Sequence, residues 1–196
     1  MNHARKSCLA VTSVLVLGLI GAAAPQESVP QKPPRGTYTG NVLLEEAQAA
    51  MTPLQIRVGY YAPQEELQHY EEVLSHKKVG QEELVDLLHK HQTMGVLLVG
   101  SGLGTALSLI TWEPTRKGFR LFMAGNRYTL RRDAVGGQNP RDFHFAAIIL
   151  DIDAKGNGDG ALYDGAKLRF NKKHMLEVDD YLGQPARILK VQLDGQ

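Results

Sequence analysis

Apolar and polar positions change their spacing twice along this 196-residue chain. From Thr37 to Leu44 (TYTGNVLL) and from Leu54 to Tyr60 (LQIRVGY), short β-branched and apolar runs predict strands. In the second run Leu54, Ile56 and Val58 alternate with Gln55, Arg57 and Gly59, which implies one buried and one wet face. Between the two, Glu45 to Met51 (EEAQAAM) favours helix by propensity, but Pro53 limits it to a turn or two. The period then lengthens. Leu67, Tyr70 and Leu74 share a stripe, Glu65, Glu66, Glu71 and Glu72 fill the other faces, and Pro63 suits the first helical position. After a break at His76 to Gly80, a second helix is expected from about Gln81 to Lys90. Leu84, Leu87, Leu88 and His91 form its stripe, with Glu82 and Glu83 in the first turn and Lys90 in the last, as the helix dipole favours.

After Met94 the period returns to two. Val96 to Val99, Thr105 to Trp112, Gly118 to Met123, Phe143 to Asp153, Gly160 to Phe170, Met175 to Val178 and Ala186 to Leu193 all read as strands. Turn residues separate them, at Glu113-Pro114, Gly136 to Pro140, Lys155 to Gly158 and Asn171 to Lys173. Short separations imply antiparallel hairpins, and helices gathered in one stretch imply α+β. The expected fold is α+β, a mainly antiparallel sheet of about seven to nine strands, curved or partly closed, with the helical pair packed on one side.

The N-terminus modifies this picture. Arg5 and Lys6 precede the apolar run Cys8 to Ile20, and Gly21-Ala22-Ala23-Ala24 closes it. A basic start, a short apolar stretch and an Ala-x-Ala exit are those of a secretory signal peptide. The apolar run falls short of the ~20 residues that span a bilayer. Cys8 lies at its start, the wrong end for lipidation. The expected organisation is a leader over 1–24, a Pro-rich linker over 25–36 (PQESVPQKPPRG) and one domain over 37–196, exported to periplasm or medium. Removing the leader takes two basic residues and the single cysteine, so the formal charge moves from +1 to −1. A near-neutral domain gives no electrostatic reason to expect nucleic acid, and no membrane span is expected after cleavage. Without disulfides the domain must hold itself together by burial.

Candidate chemistry is sparse. Asp151 to Gly160 (DIDAKGNGDG) opens like a calcium loop, yet position 12 is Leu162 and position 5 is Lys155, so a hairpin turn is the expected reading. Gly100-Ser101-Gly102-Leu103-Gly104 lacks the third glycine of a dinucleotide loop at its spacing, and no helix is expected after it. His89 and His91 are two apart, not at the i, i+4 spacing of a helical metal pair. His69, His76, His144 and His174 have no partner pattern. Nothing marks a base for Ser101, and adjacent carboxylates on a helix do not face one another. Arg127, Arg131, Arg132 and Arg141 form the densest basic stretch, expected as a polar loop. No catalytic, cofactor-binding or metal residue is therefore assigned.

Gly118 to Arg127 (GFRLFMAGNR), Asp142 to Leu162 and Ala166-Lys167-Leu168 together resemble a set of exported bacterial proteins of unassigned function. The shared pattern is a strand leading to a small-Asx-Arg turn, then an aromatic-rich strand entering a Gly-x-Gly hairpin. It spans about residues 54–193 and departs at Asn126 to Thr129, where the relatives tend to have Asp-Arg-Pro. The resemblance implies export and no reaction. The leading expectation is a non-catalytic envelope protein that binds a ligand or partner. Two alternatives stand beside it: an exported hydrolase using Asp142, His144 and Asp151, and a structural interaction module.

Overall fold

The computed structural model of the chain describes residues 32–43, 51–76, 79–127 and 142–194. Seven strands run as an antiparallel meander: β1 (Gly36–Leu43), β2 (Met51–Val58), β3 (Gly95–Val99), β4 (Thr105–Pro114), β5 (Gly118–Asn126), β6 (Phe145–Asp153) and β7 (Asn157–Phe170). Helices α1 (Gln64–Leu74) and α2 (Gly80–Lys90) are inserted between β2 and β3, and β8 (Leu176–Tyr181) and β9 (Ala186–Leu193) follow β7.

The ninth strand decides the architecture. It pairs antiparallel with β7 on one edge and with β1 on the other, so β1 to β7 and β9 close on themselves and β8 stays outside. The expected α+β fold, a curved or partly closed sheet, is therefore corrected to a closed eight-stranded antiparallel barrel, mostly sheet, with two short helices against its outer wall. Alternation of apolar and polar residues is the same in a curved sheet and in a barrel. Closure depends on whether the first and last strands meet in register, as Tyr38 does with Leu193 and Val42 with Ile188.

Backbone chemistry makes room for the closure. A Cβ at Gly158 or Gly160 would run into the carbonyls of Asp151 and Ile149, so only glycine allows β6 and β7 to approach this closely. The ladder from β7 to β9 shifts register between the same two residues. Past Ala166, the edge of β7 that held β9 takes β8 instead. Thus β8 and β9 are two lengths of one partner strand, broken at 182–185. The β7–β8 ribbon leaves the barrel at Gly165, whose φ of 99° admits little besides glycine.

Two apolar clusters result. Inside the barrel Tyr38, Ile56, Leu97, Phe119, Leu121 and Ile148 are each no more than 1% exposed, among others, so the interior is packed with side chains. On the outer wall, Tyr70, Val73, Leu84 and Leu88 of the helices pack with Phe122 and Phe145 of the barrel and Leu168 and Leu176 of the ribbon. β5 and β6 are covered on both faces, Leu121 and Met123 pointing in while Phe122 and Ala124 point out. That is why both strands read as nearly unbroken apolar runs.

The elements follow the predicted ones, with shifted ends. Leu54, Ile56 and Val58 are buried as the alternation requires. Met51 opens β2, while the rest of the expected helical stretch lies outside the described residues. Pro53 sits within β2 beyond its ladder to β3, where its carbonyl accepts from the Gly100 N–H at 2.8 Å and its missing N–H costs nothing. The end of the Pro-rich stretch packs on the barrel. Pro33 is buried, and the Pro34 carbonyl accepts from the hydroxyls of Tyr38 at 2.8 Å and Tyr61 at 3.0 Å. No described helix is long and apolar enough to cross a membrane.

Candidate functional site

The loop with the calcium-like opening uses its carboxylates locally. Asp151 binds the Arg120 guanidinium through two bonds of 2.7 and 2.9 Å. One Asp153 oxygen accepts from the backbone N–H groups of Lys155 and Asn157, and Asp159 accepts from that of Lys190. With Gly156 at φ 80°, the segment is a hairpin turn whose acids point to three different partners. Gly100 to Gly104 is likewise the turn between β3 and β4 and leads into a strand, not a helix. Among the described residues, no three His, Cys, Asp or Glu side chains form a group able to hold a metal.

The proposed hydrolytic trio is not assembled. His144 is half-buried beside the start of β6, with its ring edge-on to Phe145, whereas Asp151 lies near the strand's far end. Seven residues of extended chain put ~23 Å between them. Asp142 stays at the His144 end. Arg127 lies 3.9 Å from Asp164, while Arg131, Arg132 and Arg141 fall outside the described residues. Three other histidines serve the helices and their neighbours: His76 bonds Glu83, His91 bonds Tyr70 and His174 bonds Glu71. Ser101 is exposed in its turn.

Three places on the outer wall remain. In the first, the Tyr70 hydroxyl lies 3.2 Å from Glu66 and 3.1 Å from His91. Burial, and then the Glu66 charge, push this phenol well above its usual range, so it is a poor proton donor that ties α1 to the end of α2. The second is a trough of about 570 Å³ over β5, β6 and β7, bordered by Arg120, Asp151, Asp159 and Tyr163. Its charges already satisfy one another or the backbone. Asp151 holds the Arg120 guanidinium still more firmly protonated than usual.

The third differs in kind. A cleft of about 180 Å³ lies where the start of α1, β4 and the tip of the ribbon meet. Its position follows from the local chain path. The segment entering α1 crosses the barrel wall, with the Ala62 N–H donating to Ile110 at 2.8 Å, and this brings Gln64 and Leu67 beside Thr111 and Trp112. The ribbon supplies Phe170 and His174. Asn171 Oδ1 braces that turn by accepting from the N–H groups of Lys173 and Met175. His174 itself adopts φ 58°, uncommon for a side chain of its size, and its Nδ1 lies 2.9 Å from both Glu71 oxygens.

Thr111 carries the chemistry of the cleft. It points outward between Leu109 and the helices, is only 8% exposed, and its hydroxyl has no hydrogen-bond partner among the described residues. The hydroxyl itself is not sealed, since the fully buried unpaired atoms among the described residues do not include it, so it faces the solvent of the cleft. Nothing in the sequence singles out Thr111 or Gln64, because Ser108 is a second buried polar residue of the same strand and only the covering helix and ribbon distinguish Thr111. The chain matches no protein-family model, no curated protein and no solved structure.

Proposed function

We propose that this chain is an exported, non-catalytic binding protein that holds its ligand on the outside of a filled barrel, in the cleft between α1, β4 and the ribbon. The carrying observation is that Thr111, a nearly buried residue, turns a hydroxyl without a protein partner among the described residues into that cleft. Two further features support the reading. The barrel interior is occupied by its own side chains, which removes the usual internal ligand chamber of such folds. Asp151 is separated from Asp142 and His144 by the length of β6, so the hydrolase alternative loses Asp151 as a partner for the imidazole. Export rests on the leader-like first 24 residues and on the resemblance to exported bacterial proteins.

The interaction-module alternative gains less. Its expected sign is an apolar patch, and among the described residues the large exposed apolar side chains are Met51 of β2, Tyr181 of β8 and two in turns, Val79 and Leu103. Two measurements test the proposal. N-terminal sequencing of material recovered outside the cytoplasm should begin near residue 25. Isotope-labelled protein titrated with a soluble envelope extract should shift amide signals over residues 62–67, 111–112 and 170–176, leaving interior positions such as Ile56 and Leu121 unmoved. Shifts confined to other surfaces, or none at all, refute it.

A further inference from the structure

Resting on that reading, we infer that the cleft receives one uncharged pyranose ring, the terminal unit of a glycan. Three properties of the lining select this class together. The first is size: about 180 Å³ is room for a single six-membered ring, since a void of ~150 Å³ accommodates benzene. The second is charge. Among the described residues, His174 is the only ionisable side chain lining the cleft, and its Nδ1 is already engaged by Glu71, so a charged ligand would find no free counter-charge to meet it.

The third is the division between ring faces and polar edges. Phe170, Leu67 and Met175 offer aromatic and aliphatic surface, against which the C–H face of a sugar packs. Thr111, Gln64 and the free edge of the His174 imidazole can donate and accept. Sugar hydroxyls likewise do both. A wholly apolar ring would cover the Thr111 hydroxyl and leave it unpaired, and that cost falls on the complex. A hydroxylated ring satisfies the same group. Thr111 and Gln64 are thus assigned as ligand-binding residues, and Glu71 as the positioning residue that fixes the His174 ring.

Trp112 is the chain's single tryptophan and borders the cleft with its side chain packed on the barrel interior, next in sequence to Thr111, so its emission senses occupancy at one remove. The full chain is titrated with methyl glycosides of glucose, galactose, mannose and N-acetylglucosamine into the millimolar range. A parallel titration uses N-acetylphenylalaninamide, a mimic of a peptide side chain. The expected result is a saturable emission change with at least one glycoside, weakened about fivefold or more by Thr111→Val, which keeps the shape and removes the hydroxyl. Gln64→Ala, at an exposed rim position, should weaken it as well without altering the melting temperature. A response to the phenylalanine mimic alone overturns the sugar assignment and leaves binding in the cleft standing. Glycoside binding that Thr111→Val does not change overturns the assignment too. No response to either probe overturns it, while the extract titration described above decides separately whether the outer wall binds anything.

Discussion

Tyr38 and Tyr61 bring two phenols together at the barrel wall, and both donate to the Pro34 carbonyl. Burial pushes the Tyr38 phenol up to about 12, an effect its contact with Tyr61 partly offsets. Tyr61 is pushed up further, by burial first and then by Tyr38. In the unfolded chain both should titrate near ~10. A phenol whose folded value is raised stabilises the fold fully below the unfolded value, and that stability is lost as pH climbs from about 10 through about 12. Denaturant melts should therefore show unfolding free energy falling across this window. Tyr38→Phe should flatten the fall and cost ~1 kcal/mol at neutral pH for the lost hydrogen bond. An equally steep fall in the variant would show that other groups, such as the lysines, cause it. None of this was legible in the sequence, where Tyr38 and Tyr61 sit in different elements and Pro34 belongs to a stretch read as a tether.

At the scale of elements, one side chain replaces a strand. Beyond Phe145 the inner edge of β7 has no neighbour in the sheet, and Gln81 of α2 takes that place. Its amide donates to the Leu168 carbonyl at 2.7 Å and accepts from the Leu168 N–H at 2.9 Å, as a paired strand would. The ribbon is thereby fastened to α2, and through His174 and Glu71 to α1. Gln81→Ala should destabilise the protein by ~2 kcal/mol, because both Leu168 groups lose a partner in a partly buried setting. Amide exchange at Leu168 should quicken more than at Ile148 in the barrel. Equal exchange at both sites would mean the clamp is not a local fastening. The helices and most strands were legible because each is written in local spacing: Leu84 and Leu88 at four residues, Leu54, Ile56 and Val58 at two. The ribbon was not legible, since Gly160 to Phe170 looks like one ordinary strand until β9 departs from it.

For the whole molecule, closure through β9 is the organising event. Removing residues 186–196 would leave β1 and β7 each with an unpaired edge and would uncover Tyr38, Val42 and Leu162. Such a chain should lose its cooperative melt and bind an apolar-surface dye, whereas removing only the two residues after Asp194 should leave the melting temperature unchanged. A cooperative melt in the longer truncation would show that the open sheet is stable alone. The candidate cleft belongs to this scale. Thr111, Gln64 and His174 come from a strand, a helix and a turn, and no spacing along the chain announces their meeting. By itself the sequence determined the periodicities, and with them the kind, order and approximate bounds of the described elements, because buried faces repeat at two residues in a strand and near four in a helix. The tertiary structure alone decided that the sheet closes, that its interior is full and that the Thr111 hydroxyl opens into a cleft on the outside. Those outcomes rest on pairings between distant segments, and a local pattern is equally compatible with an open sheet or a barrel.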